Sequence, residues 1–238
     1  MHVLTRKEEL DAVRVAGKVV VVIDILFATT TMVAALAHGA REIVPATDEA
    51  DARALAAALP PQEVVLSGEL YAQTLPGFAH PAPLALLAHG VRGKSVVYST
   101  TNGTVALRRA ECAACVYGAA LLNARRVAEH VVARHPGRTV LVLCSGSVNH
   151  LNLEDFYGAG YFVDCLVGLL GPSADLSDAA RAAHALYRQA RLPEVLLESR
   201  VGRMMAARGL THEVQFAARL DAFPVVPVLG QGRLRLVA

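Results

Sequence analysis

Residues 18–24 constrain the fold of this chain more than any other segment, because Lys18 and Asp24 enclose an unbroken run of five β-branched apolar residues. A strand with no polar alternation is typical of a sheet that is covered on both faces. Similar short β-branched runs alternate along the chain with longer Ala- and Leu-rich segments of helical period. This alternation predicts an α/β fold in which helices connect the strands of a mainly parallel or mixed sheet.

The same pattern predicts the order of the elements along a single α/β domain that spans residues 1–238. Strands are predicted at 18–24, 41–46, 63–66, 95–98, 115–117 and 139–143, with two short candidates at 225–228 and 234–237. Helices are predicted at 30–38, 47–59, from the 99–104 loop to about residue 110, at 120–135 and from Leu153 onward. Residues 71–83 are predicted to form a long loop, and the mostly helical segment 175–218 either covers the sheet or forms an interface.

Charge and hydropathy exclude two classes of partner. The chain has 23 basic and 21 acidic residues, and its net charge of +2 with scattered arginines argues against binding to nucleic acid. No apolar stretch approaches the roughly 18 residues of a membrane span, and the charged N-terminal segment does not resemble an export signal. Four cysteines in 238 residues fit a reducing cytoplasm, which is the expected location.

Polar residues that follow the predicted strands are the candidate site, because ligands of open α/β sheets gather at the carboxyl ends of the strands. Carboxylates there, together with hydroxyl groups and backbone N–H donors, predict a pocket for a hard cation and an oxyanion, with Mg²⁺ as the expected cofactor. The segments concerned are Asp24, residues 67–69 with Glu69, residues 99–104, residues 145–147 with Ser145 and Gly146, and the pair Glu154 and Asp155.

Each of these residues also has a purely structural interpretation. Asp24 at a strand end can cap the following turn, and Glu69 can be a solvated loop residue. Thr101 or Asn102 can be the N-cap of the next helix, and Glu154 with Asp155 can complement a helix dipole.

Several sharper motifs are absent from the sequence. It contains no Gly-x-Gly-x-x-Gly, no P-loop and no Gly-x-Ser-x-Gly, and Leu26 stands where an Asp-x-Asp phosphatase would carry its second acid. The single Cys-x-x-Cys at 112–115 lacks the further ligands of a zinc site. Among the histidines, only His150 is expected near the pocket, where a surface position remains the simpler interpretation.

Five segments together resemble the 2-phosphosulfolactate phosphatases of coenzyme M biosynthesis. They are residues 22–31, 66–69, 77–78, the Ser-Thr-Thr-Asn-Gly-Thr at 99–104 and the Leu-Glu-Asp-Phe at 153–156. The resemblance spans nearly the whole chain and implies a layered α/β/α fold and Mg²⁺-dependent hydrolysis of a small anionic phosphate ester.

The site residues follow from this resemblance and from the strand ends. We expect Asp24, Glu69 and Asn102 in catalysis. Asp24 is open to either of two roles, as in-line nucleophile or as metal ligand. The expected metal ligands are Asp24, Glu69, Glu154 and Asp155, and the expected substrate-binding residues are Thr100, Thr101, Gly103, Thr104, Ser145 and Gly146.

The chain departs from the family pattern at its cationic positions. Phe27 and Leu70 stand where the pattern has arginines, and the loop at 77–83 lacks the expected acid and amide. The first hypothesis is therefore a phosphatase with an altered substrate, with a homo-oligomer possible. The alternative is a catalytically altered or inactive family member that binds small molecules or another protein, and a hydrolase of neutral substrates is a third option.

Overall fold

The computed structural model describes residues 1–237, and its strands form one mixed sheet. The strands are β1 (His2–Leu4), β2 (Val19–Ile23), β3 (Glu42–Ala46), β4 (Val64–Leu70), β5 (Gln73–Thr74), β6 (Ser95–Ser99), β7 (Cys115–Ala119), β8 (Val140–Cys144), β9 (Pro227–Gly230) and β10 (Arg233–Leu236). Their order across the sheet is β1-β8-β2-β7-β9-β10-β3-β6-β4-β5.

Two parallel blocks make up most of this sheet. One block is β1-β8-β2-β7 and the other is β3-β6-β4, with all neighbours inside each block parallel. The hairpin β9–β10 joins the blocks through antiparallel pairings on both of its sides. The predicted mainly parallel or mixed sheet is therefore confirmed.

Helices cover both faces of the sheet. They are α1 (Ala28–Ala37), α2 (Glu49–Ala57), α3 (Pro83–His89), α4 (Gly103–Arg109), α5 (Ala124–Arg134), α6 (Leu153–Leu170), α7 (Asp178–Gln189), α8 (Glu194–Glu198), α9 (Arg200–Ala207) and α10 (Thr211–Ala217). Val19, Val21 and Ile23 of β2 pack into the core under α5 and α6, whereas Val20 and Val22 pack into the core with α1 and α4. Alternate side chains of one strand thus enter two cores, as a layered α/β/α fold requires.

Three elements lie where the sequence predicts none. β1 pairs in parallel with β8, β5 lies inside the predicted 71–83 loop, and α3 begins at the proline that ends that loop. β1 and β5 have only three and two residues, which is too short for a periodic signal.

The predicted helical segment 175–218 contains helices α7 to α10. α7 packs on α6, and α10 packs on α3. Glu213 of α10 is fully buried and accepts hydrogen bonds from the backbone N–H groups of Leu84 (2.8 Å) and Ala85 (2.9 Å) at the start of α3. Helices α7 and α10 of this segment therefore pack on helices α6 and α3 of the same chain. No helix within residues 1–237 has the length and apolarity of a membrane span.

Candidate active site

Asp24 follows β2 directly and is held by the start of α1. Its Oδ1 accepts a hydrogen bond from the Ala28 backbone N–H at 3.1 Å, and its Oδ2 accepts one from the Ser145 hydroxyl at 2.7 Å. Burial raises the pKa of Asp24, the charge of Glu69 raises it further, and the two hydrogen bonds act in the opposite direction. The capping interpretation and the site interpretation of Asp24 are thus compatible, because Asp24 caps α1 and also lines a cavity.

Glu69 lies near the end of β4 and lines the same cavity. Its Oε1 accepts from the Thr101 backbone N–H at 2.7 Å, and its Oε2 accepts from the Thr101 hydroxyl at 3.1 Å and from the Ala72 backbone N–H at 2.6 Å. Glu69 therefore joins the β4–β5 turn to the loop after β6 and is not a freely solvated residue.

The loop after β6 is closed by a reciprocal pair of threonines. The Thr100 N–H donates to the Thr104 hydroxyl (3.0 Å), and the Thr104 N–H donates to the Thr100 hydroxyl (3.1 Å). Since Thr101 N–H is bound to Glu69, three of the backbone amides expected to orient an oxyanion already have partners. Thr100, Thr101 and Asn102 line the cavity, whereas Gly103 and Thr104 are buried and do not line it.

Gly103 brings the loop after β6 against the loop after β2. A Cβ at this position would lie 2.3 Å from the Ala28 Cβ and 2.7 Å from Asp24 Oδ2. Carbon atoms cannot approach this closely, so only glycine permits the contact. Gly103 supports the site by its lack of a side chain and not by touching a ligand.

Asn102 does not cap α4 with its side chain. Its Oδ1 accepts a hydrogen bond from Lys7 Nζ at 2.8 Å, and Lys7 is buried, with a further ion pair to Glu8 at 3.0 Å. The sequence does not predict a role for Lys7 in the site, because residues 5–9 carry charges of both signs, as is typical of an exposed segment.

Asp155 binds the two loops that flank it and does not line the cavity. Its Oδ1 accepts from the Ile25 N–H at 2.8 Å, and its Oδ2 lies 3.0 Å from Ser145 Oγ and 3.2 Å from the Gly146 N–H. The Ser145 hydroxyl has one proton and cannot donate to both Asp24 and Asp155. Burial raises the pKa of Asp155 well above its usual value, and the charges of Asp24 and Glu154 add to this. Asp24 and Asp155 therefore share the single Ser145 hydroxyl, and burial raises the pKa of both carboxyl groups.

Glu154 is also enclosed by protein. It is 1% exposed, and its Oε2 has no hydrogen-bond partner within residues 1–237. Burial raises the pKa of Glu154 to about 7, and the charge of Asp24 contributes in the same direction. The Ser199 hydroxyl and the Arg200 charge lower the pKa.

The structure separates the four expected metal ligands into two pairs. Asp24 and Glu69 share a cavity of about 350 Å³, but Glu154 and Asp155 do not line it. The described residues contain no group of three or more His, Cys, Asp or Glu side chains arranged to hold a metal. The sequence alone does not show whether the acidic residues in the first turn of α6 line a cavity or are buried against neighbouring loops. Ser145 and Gly146 likewise lie behind the cavity, whereas Ser147 of that segment lines it.

The cavity is also lined by two arginines far along the chain, Arg200 and Arg208. His80 lines it too, whereas His150 does not. Phe27 lines the cavity, but Leu70 lies outside it and is 53% exposed. Arginines distant in sequence from positions 27 and 70 therefore reach the cavity from the two ends of α9.

Comparison with known proteins identifies relatives over almost the whole chain. A family model described as 2-phosphosulpholactate phosphatase matches residues 4–232, which include every residue that lines the cavity. A "Probable 2-phosphosulfolactate phosphatase" of Symbiobacterium thermophilum is 34% identical over 229 residues, covering 95% of this chain and 97% of that protein. A protein of the same description from Deinococcus radiodurans is 36% identical over 217 residues, covering 90% and 88%. A third, from Clostridium tetani, is 27% identical over 236 residues and covers 99% of each chain.

We predict that Gly103→Ala lowers the free energy of unfolding by about 1–3 kcal/mol, because the new methyl group must displace Ala28 or the Asp24 carboxylate. Urea unfolding of both proteins measures the difference. Gly168→Ala is the matched control: it lies in α6 with nothing within 4 Å of the added Cβ, and there alanine stabilises by about 0.5–1 kcal/mol. An unfolding free energy of Gly103→Ala equal to that of the parent would show that this close contact does not exist.

We further predict that Glu154 makes the unfolding free energy depend on pH. Because the pKa of Glu154 is raised in the folded protein, its contribution to the free energy of unfolding is fully present below a pH of about 4.5. This contribution is lost as the pH rises through about 7. Glu154→Gln should therefore gain roughly 1–3 kcal/mol relative to the parent between pH 5 and pH 8. Urea unfolding across this range measures the gain, with the exposed Glu198→Gln as the control. A pH-independent difference between Glu154→Gln and the parent would contradict the assignment.

Proposed function

We propose, because this chain belongs to the 2-phosphosulfolactate phosphatase family, that its cavity hydrolyses the ester of a small phosphorylated acid with Mg²⁺ as cofactor. The family is one of phosphoric monoester hydrolases, so the enzyme class predicted from the sequence is confirmed. The observation that carries the proposal is the shared cavity wall of Asp24, Glu69 and residues 100–102.

Asp24 and Glu69 are chemically suited to Mg²⁺. Both offer carboxylate oxygens, and Mg²⁺ is commonly held by one or two carboxylates with its remaining positions filled by water and phosphate oxygens. Burial is the main cause of the raised pKa of Asp24, and the charge of Glu69, which lines the same cavity, adds to it, as expected for repulsion between neighbouring carboxylates. A divalent cation there would relieve this repulsion, polarise the phosphoryl group and help to activate a water molecule.

The chain's own residues hold these groups in place. Ala28 N–H and Ser145 fix the Asp24 carboxylate, and each Asp24 oxygen that accepts one of these hydrogen bonds keeps a further lone pair for a cation. We assign Asp24 as a metal ligand in preference to the in-line nucleophile. Lys7 occupies the Asn102 Oδ1, which leaves the amide N–H donors of Asn102 for a phosphate oxygen. Thr101 is fixed by Glu69, so the carboxylates and the loop after β6 keep a constant geometry.

The proposal predicts Mg²⁺-dependent release of phosphate from small phosphorylated acids. Asp24→Asn and Glu69→Gln should each lower kcat/KM by about 100-fold or more, because each removes a charged oxygen ligand. The measurement is phosphate release from a panel of phosphomonoesters, with and without Mg²⁺, by the parent and both variants. Asp178→Asn, at an exposed position in α7, is the control and should retain the parent rate.

One other outcome would favour the alternative function. Absence of phosphate release from the whole panel, with saturable binding of the same compounds, would contradict the phosphatase proposal. It would indicate a family member that binds small molecules without turnover. Release that is equal with and without Mg²⁺ would contradict the cofactor alone.

We also predict that positions 27 and 70 differ in their effect on phosphosulfolactate, the compound named in the relatives' descriptions. Phe27→Arg adds a guanidinium to the cavity and should raise kcat/KM for this compound by about 10-fold. Leu70→Arg adds one outside the cavity and should change kcat/KM by less than about 2-fold. Steady-state kinetics at fixed Mg²⁺ compares the two variants. Equal gains from both would show that position 70 reaches the substrate.

A further inference from the structure

Helix α9 brings two arginines to the cavity. Arg200 is its first residue, and Arg208 follows its last. Both line the cavity that contains Asp24 and Glu69, and both are exposed to the solvent that fills it. Arg203, on the same helix, is also exposed but does not line the cavity.

Neither of the two arginines is in an ion pair. Within residues 1–237, no carboxylate oxygen lies within 4.0 Å of the Arg200 or Arg208 guanidinium. Arg200 instead donates to the Ser147 hydroxyl and to Asn152 Oδ1 (3.2 Å), and Arg208 donates to the Ala72 carbonyl. These neutral partners orient the side chains but do not neutralise their charge.

Two oriented guanidinium groups attract an anion, although Arg200 also acts on the buried Glu154 carboxyl group, whose pKa its charge lowers. Each has five N–H donors, and the hydrogen bonds named above use only some of them, so donors remain for a planar or tetrahedral anion. Asp24 and Glu69 are the proposed ligands of Mg²⁺, and the phosphate of the substrate is proposed to bind that metal ion. The arginines are therefore free for a second anionic group on the same substrate.

We propose that Arg200 and Arg208 form an anion subsite that binds the carboxylate or sulfonate of a phosphorylated acid. The proposal rests on the phosphatase function proposed above and assigns two residues of the cavity to the acid group of its substrate. The two arginines determine specificity for the second anionic group of the substrate. They provide positive charge in a chain whose positions 27 and 70 carry Phe27 and Leu70 in place of the arginines of the family pattern.

The test compares two substrates that differ only in the second charge: 2-phospholactate carries a carboxylate where isopropyl phosphate carries a methyl group. Arg200→Gln and Arg208→Gln should each lower kcat/KM for 2-phospholactate by about 10-fold or more, mainly through KM. Both should leave kcat/KM for isopropyl phosphate within about 3-fold of the parent. Arg203→Gln is the matched control and should behave as the parent on both substrates.

Three results would overturn the subsite. They are no loss with 2-phospholactate, an equal loss with both substrates, or a parent enzyme that hydrolyses both with equal kcat/KM. Thermal melts of all variants separate an unfolded variant from a loss of binding, and Arg200→Lys and Arg208→Lys should recover part of the loss.

Calorimetric binding of 2-phospholactate without Mg²⁺ distinguishes this proposal from the phosphatase function. A parent that binds 2-phospholactate through the arginines but releases no phosphate with Mg²⁺ would refute the activity and support the subsite. A parent that hydrolyses phosphomonoesters but binds 2-phospholactate as tightly without the arginines would refute the subsite and support the activity.

Discussion

The hydrogen bonds of Asp155 hold the site together. This buried carboxyl group binds the Ile25 N–H after β2, and it binds the Gly146 N–H and the Ser145 hydroxyl after β8. Through Ser145 it also fixes Asp24. Asp24 and Asp155 both contact the Ser145 hydroxyl, and burial raises the pKa of both carboxyl groups. Asp24 lines the cavity, and it is thus held through Ser145 by Asp155, which does not line the cavity.

The loops after β2 and β6 meet although their strands belong to different blocks of the sheet. The hairpin β9–β10 lies between the two parallel blocks, and its antiparallel pairings make the strands of one block run opposite to those of the other. Gly103, after β6, nevertheless lies directly against Asp24 and Ala28, after β2, because α1 and α4 pack against each other.

Much of the fold and part of the site could be predicted from sequence. The buried run at Val19–Ile23 identified β2, and the rule that strand ends gather ligands led to Asp24 and Glu69. Burial of Glu154 and Asp155 could not be predicted, because acidic residues suit a helix start in either environment. Arg200 and Arg208 were noticed only as scattered charges. Which face of a short helix meets a cavity depends on the packing of its neighbours, and no local pattern contains that information.

The two sides of the cavity are built by separate parts of the chain. Asp24 and Glu69 are fixed by hydrogen bonds within the loops after β2, β4, β6 and β8. Arg200 and Arg208 lie at the two ends of α9, where Arg200 donates to Ser147 and Asn152. Changes within α9 therefore need not disturb the carboxylates. This separation explains how a chain can keep the carboxylate half of a phosphatase site while its cations come from a different helix.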